Sequence, residues 1–124
     1  MDYVDIIFCH RPDPNTPLEE ICRAMDWVIN QGMASYWGTS EHTNEAITEI
    51  FGICEKLNLH KPVVEQCEYN VVMRDGLEKH YKSLNEKKSL GTTIWSPLAG
   101  GILAGRFNDG NIPEESRFSI PLLK

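Results

Sequence analysis

Residues 4–40, VDIIFCHRPDPNTPLEEICRAMDWVINQGMASYWGTS, decide the fold. An apolar run, Val4 to Cys9, ends on His10. A stretch with helical periodicity follows, and a second run, Ala34 to Gly38, leads to Ser40. The pattern then recurs: Val63 to Glu65 lead to Gln66, and Thr92 to Trp95 lead to Ser96, so the four polar residues stand 30, 26 and 30 positions apart. The first three are each followed by a helical segment. Parallel strands need crossovers of a dozen or more residues, usually helices, and such crossovers are right-handed. The expected fold is therefore α/β, with four parallel strands in sequential order and three helices on one side. In parallel α/β folds chemistry gathers at the carboxyl ends of the strands, which makes His10, Ser40, Gln66 and Ser96 the positions to weigh first.

The clearest helix follows His10. Thr16 suits its N-cap, Pro17 its first position, and Glu19 completes a T-x-x-E capping box. Leu18, Ile21, Cys22, Met25, Val28 and Ile29 form one apolar stripe at helical spacing, and Gly32 suits the left-handed position beyond it. A second helix runs from about Thr43 to Leu57, with Ala46, Ile47, Ile50, Phe51, Cys54 and Leu57 on its apolar face. A third spans Gly76 to Lys88, with Leu77, Tyr81 and Leu84 inward, and Gly91 ends the connection. The run Ile6-Ile7-Phe8-Cys9 fits a strand buried on both faces. After Trp95, Gly100, Gly101, Gly105, Gly110 and Pro113 mark a long irregular loop.

The chain has 124 residues and a net charge of −6. That suits one small domain and is about half of a closed eight-stranded α/β barrel, which takes roughly 250 residues. The acidic balance argues against a broad nucleic-acid surface, which would cluster Lys and Arg. No apolar stretch approaches the roughly 20 residues of a membrane helix, and no signal-peptide pattern opens the chain. Cys9, Cys22, Cys54 and Cys67 form no C-x-x-C pair, so zinc and thioredoxin-type readings are weak. They read as free thiols in a reducing compartment, Cys22 and Cys54 on apolar helix faces.

Four motifs in order carry a resemblance: His10-Arg11-Pro12-Asp13, Tyr36-Trp37-Gly38-Thr39-Ser40, Glu65-Gln66-Cys67-Glu68-Tyr69-Asn70, and Trp95-Ser96-Pro97-Leu98-Ala99-Gly100-Gly101. Together, and with Asn30-Gln31-Gly32-Met33, they resemble the aldo-keto reductases. Within that family they look most like the branch comprising the β subunits of voltage-gated potassium channels, plant-type members included. The resemblance implies a partial (β/α)8 TIM barrel in which residues 1–124 supply about strands four to seven, as one domain incomplete at both ends. It also implies NADP(H) as cofactor, bound across the carboxyl ends of the strands.

By this resemblance His10 matches the family's substrate-orienting histidine, the one catalytic-site residue in the chain. Its imidazole can donate a hydrogen bond to a carbonyl oxygen as negative charge develops there. On the residues alone, a capping or core histidine is the plainer reading. Ser40 and Gln66 match residues that hold the nicotinamide carboxamide, to which hydroxyl and amide offer complementary donors and acceptors. Ser40 also suits an N-cap for the second helix. Glu41 departs from the animal β subunits, which have Arg there, and this puts a cofactor contact at that position in doubt. Trp95 matches an aromatic that stacks on the nicotinamide, where composition alone would make it a core residue. Ser96, Pro97, Leu98, Ala99 and Gly100 match a loop that approaches the diphosphate, although Gly-Gly by itself reads as a plain turn. Arg106 and Arg117 match basic residues that contact cofactor phosphates, against a plain reading as surface charges.

The activity so implied is reversible hydride transfer between NADPH and an aldehyde or ketone. The partners implied are a small carbonyl substrate, a voltage-gated potassium channel α subunit and a second copy of the chain, in the cytoplasm, with no nucleic acid and no membrane insertion. The family's catalytic Tyr, with its Lys and Asp, falls before residue 1, so residues 1–124 alone are expected to be inactive. A noncatalytic nucleotide-sensing or channel-regulatory module is the alternative.

Overall fold

A computed structural model describes residues 2–120. Strand β1 (Val4–His10) leads through helix α1 (Leu18–Asn30) to β2 (Ala34–Ser40), then α2 (Asn44–Leu57) and β3 (Val64–Glu68). A single wide turn at Gly76–His80, closed by the Tyr81 amide on the Gly76 carbonyl at 2.9 Å, opens the short helix α3 (Lys82–Lys88), and β4 (Gly91–Trp95) follows. Beyond β4, among the described residues, only two short 3-10 turns, Ala99–Ala104 and Arg117–Ser119, interrupt an irregular segment. The strands form one sheet in the order β1-β2-β3-β4, and every neighbouring pair is parallel. This is the fold class the repeat predicts: a four-stranded parallel sheet alternating with helices, as in part of a (β/α)8 barrel.

Alternation along each strand separates two faces. Ile7, Trp37 and Cys67 face the helices. Ile7 and Trp37 pack with Cys22, Met25 and Ile29 of α1 and Ile50 and Cys54 of α2. Cys67 packs with Ile47 and Phe51 of α2 and Tyr81 and Leu84 of α3. Helix α2 therefore belongs to both clusters. The opposite face carries Phe8, Gly38 and Val64. A Cβ on Gly38 would lie 2.5 Å from Val64 Cγ1 and 2.7 Å from its carbonyl oxygen, so the strands there close up only because residue 38 is glycine.

Several local expectations are corrected. The capping box at α1 does not form. The Thr16 hydroxyl donates to the Asp13 carboxylate at 2.7 Å, Glu19 pairs with Arg23, and Pro17 occupies the cap position with its carbonyl accepting from Glu20 and Ile21. The cap of α2 is Thr43, whose hydroxyl accepts from the Ala46 amide at 3.2 Å, and not Ser40. Strand β3 runs on to Glu68, so Gln66 lies inside the strand and not at its end, and Gly91 begins β4 rather than ending the connection. Ile6-Ile7-Phe8-Cys9 is covered by helices on one face only, and Val4 and Ile6 are each 36% exposed.

Candidate cofactor rim

The carboxyl ends of the strands share a local device. Arg11, Glu41 and Ser96 each follow the last residue of a strand, and each takes a left-handed backbone, with φ of 62°, 55° and 56°. A non-glycine residue pays roughly 1–2 kcal/mol for that conformation. The Arg11 amide donates to the Ser40 carbonyl at 3.2 Å and the Glu41 amide to the Gln66 carbonyl at 3.1 Å, which carries the ladder one step past the strands before the chain turns away. Arg, Glu and Ser are poor signals for left-handed backbone, and the sequence offered no hint of the device.

Register lines up the candidate residues. His10 pairs with Ser40, Ser40 with Gln66, and Gln66 with Thr93, so one row crosses all four strands. His10 is exposed at the outer edge. Ser40 is buried, and its hydroxyl donates to the Gln66 carbonyl at 3.1 Å. The Gln66 amide donates to the Thr93 hydroxyl at 3.3 Å. Trp95 stands two residues further along β4, opposite Glu68, and its indole N–H donates to Glu41 Oε1 at 2.7 Å. Thr93 completes the row and was missed. It lies two residues before Trp95, on the same face of a strand, which is a signal the sequence did contain.

The loop after Trp95 folds back on itself. The Ala99 and Gly101 amides are taken by the Ser96 and Leu98 carbonyls at 3.0 and 2.9 Å. Gly100 (φ 68°) and Gly101 (φ 106°) hold conformations that favour glycine, and a Cβ on Gly100 would meet the Phe118 ring at 2.8 Å. Phe118 also meets Phe107 edge-on, with ring centroids 5.4 Å apart. This packing returns the irregular segment to the loop. Arg117 precedes Phe118, and the stem of Arg106 passes 3.6 Å from where a Gly101 Cβ would lie. Both arginines are exposed, and neither is in an ion pair among the described residues. Pro97 and Leu98 lead the loop outward.

On the helix side of the row lies a buried polar pair. Thr39 donates to Glu65 Oε2, while Glu65 Oε1 has no partner. Burial pushes the Glu65 carboxyl up to about 7, with the Thr39 hydroxyl and the amides of Glu41 and His42 holding it back. His42 is also buried and is held below the usual imidazole range by desolvation. Its Nδ1 lies 3.1 Å from the Ser40 carbonyl and its Nε2 has no partner.

A parallel sheet in sequential strand order, alternating with helices, is the arrangement of part of a (β/α)8 barrel. The chain belongs to the aldo/keto reductase family, whose sequence model matches residues 1–119. It is 52% identical over 120 residues to a "Probable voltage-gated potassium channel subunit beta" of Oryza sativa subsp. japonica. It is 50% identical over 120 residues to a protein of the same description from Arabidopsis thaliana. Each match covers 97% of this chain and 37% of the relative, so the chain spans little more than a third of the length of these curated relatives. No helix among the described residues is long and apolar enough to cross a membrane.

Proposed function

We propose that this rim is part of an NADP(H) site in an oxidoreductase that transfers hydride reversibly between the nicotinamide and an aldehyde or ketone. The observation that carries the reading is the in-register row His10–Ser40–Gln66, flanked by Trp95 and by a loop against which Arg106 and Phe118, the neighbour of Arg117, pack. The residues fit the cofactor. With their donors engaged on the Gln66 carbonyl and the Thr93 hydroxyl, Ser40 Oγ and Gln66 Oε1 offer acceptors for a carboxamide N–H, Trp95 supplies a face for the ring, and Ser96, Pro97, Leu98, Ala99 and Gly100 allow close approach of a diphosphate. Arg106 and Arg117, with no carboxylate partner among the described residues, can take phosphate oxygens. The bound cofactor supplies the hydride. His10, exposed at the row's edge, orients the carbonyl.

Titration of NADP+ by calorimetry tests the reading. Arg106→Ala and Arg117→Ala should each weaken binding by about tenfold, the scale of one charge-assisted hydrogen bond, and unchanged affinity in both would refute it. By the family resemblance the proton donor lies outside residues 1–124. These residues alone should therefore oxidise NADPH with a reactive aldehyde no faster than their His10→Ala variant. The relatives' description as channel β subunits favours a second reading, a nucleotide-sensing module that regulates a channel α subunit in the cytoplasm. Nucleotide binding without carbonyl reduction by a longer protein containing this segment would select it.

A further inference from the structure

We infer that Glu41 is a positioning residue for Trp95, fixing the plane of its indole at the rim; the inference deepens the cofactor reading above and rests on it. Glu41 leaves β2 in a left-handed conformation, and its carboxylate reaches across β3. One oxygen, Oε1, accepts the Glu68 amide at 2.8 Å and the Trp95 indole N–H at 2.7 Å. Both distances lie at the short end of the range for N–H···O hydrogen bonds. The Glu68 amide belongs to an interior strand, so the acceptor oxygen is referenced to the sheet and not to a free side chain.

An indole has two rotatable side-chain bonds, and a strand-end backbone leaves both free. One N–H bond to a fixed acceptor settles the ring plane. The residue after Trp95 is held from the other side. Asn70 is buried, its Nδ2 donates to the Ser96 carbonyl at 3.1 Å, and its Oδ1 accepts the Val72 and Met73 amides at 2.9 Å. Ring and backbone are thus pinned by separate groups, from β2 and from the loop after β3. A basic residue at position 41 has no acceptor for the indole N–H, so the tether is a property of the carboxylate.

The three tryptophans provide their own controls. Trp27 is 55% exposed, Trp37 donates its indole N–H to the His60 carbonyl at 2.8 Å, and Trp95 donates to Glu41. Indole N–H exchange measured by NMR on the 15N-labelled chain reads each separately. Glu41→Ala should speed exchange at Trp95 by about tenfold while Trp37 stays protected, and should weaken NADP+ binding by a similar factor. Glu41→Gln keeps an acceptor oxygen and should restore most of both. If Glu41→Ala also exposes Trp37, Trp95→Phe carries the test, since it keeps an aromatic face, deletes the N–H and should also weaken binding. Unchanged Trp95 exchange in Glu41→Ala, or faster exchange with unchanged NADP+ affinity, overturns the positioning role. So does unchanged affinity in Trp95→Phe. Unchanged affinity in Trp95→Ala, with the tether seen in exchange, overturns the stacking reading and with it the role built on that reading.

Discussion

Glu65 keeps a carboxyl group under the helices with one oxygen unpartnered, and its proton is held to about pH 7 by burial. The unfolded chain releases that proton near the ordinary value of 4.5. Stability from this group is therefore full below about 4.5, declines as pH rises, and is gone above about 7. His42 acts in the opposite sense: buried and neutral, it lowers stability as pH falls below its ordinary 6.5, where the unfolded imidazole takes a proton. Glu65→Gln should stabilise the chain at pH 8 by about 1–3 kcal/mol and leave pH 5 nearly unchanged, as read from melting temperatures at the two values. An equal gain at both would show that the carboxyl is not the source. At this scale the apolar runs placed His10, Ser40 and Trp95 at strand ends, where they stand, but put the end of β3 two residues early, at Gln66. The sequence marked Glu41 only as a departure and Asn70 only as part of a motif, with no sign of their contacts. Their roles depend on partners 54 and 26 residues away, Trp95 and Ser96, which only the sheet brings near.

Among the elements, both caps depart from the sequence reading: Thr43 and not Ser40 caps α2, and Thr16 does not cap α1. Thr43 has one amide to serve and serves it, at Ala46. Thr43→Ala should cost about 1 kcal/mol, the usual value of such a cap, measurable as a lowered urea midpoint with unchanged slope, whereas Thr16→Ala should cost α1 no cap. Thr16 has a nearer acceptor in Asp13, which also takes the Asn15 amide at 2.9 Å, and this local turn outcompetes the capping box that the spacing suggests. The strands were legible from their apolar runs except at the end of β3. Glu68 reads as loop because it is charged, yet its amide finds the Glu41 carboxylate and the strand continues. Helix α3 was drawn too long because the wide turn at Gly76–His80 keeps Leu77 and Tyr81 inward with nearly the same spacing as an α-helix.

For the molecule as a whole, β1 and β4 each pair on one side only among the described residues, and the face away from the helices presents Val4, Ile6 and Tyr36, the last 56% exposed. Unpaired strand edges template association. Residues 1–124 alone should therefore self-associate in light scattering, and a stable monomer with a cooperative denaturant transition would contradict this. The repeat that reveals the fold is one strand and one helix, but α2 shows that this period is not the unit of folding. Ile47 and Phe51 serve one core cluster while Ile50 and Cys54 serve the other. No single strand–helix repeat can peel away without uncovering its neighbour, so partial opening, where it occurs, must release helices in pairs.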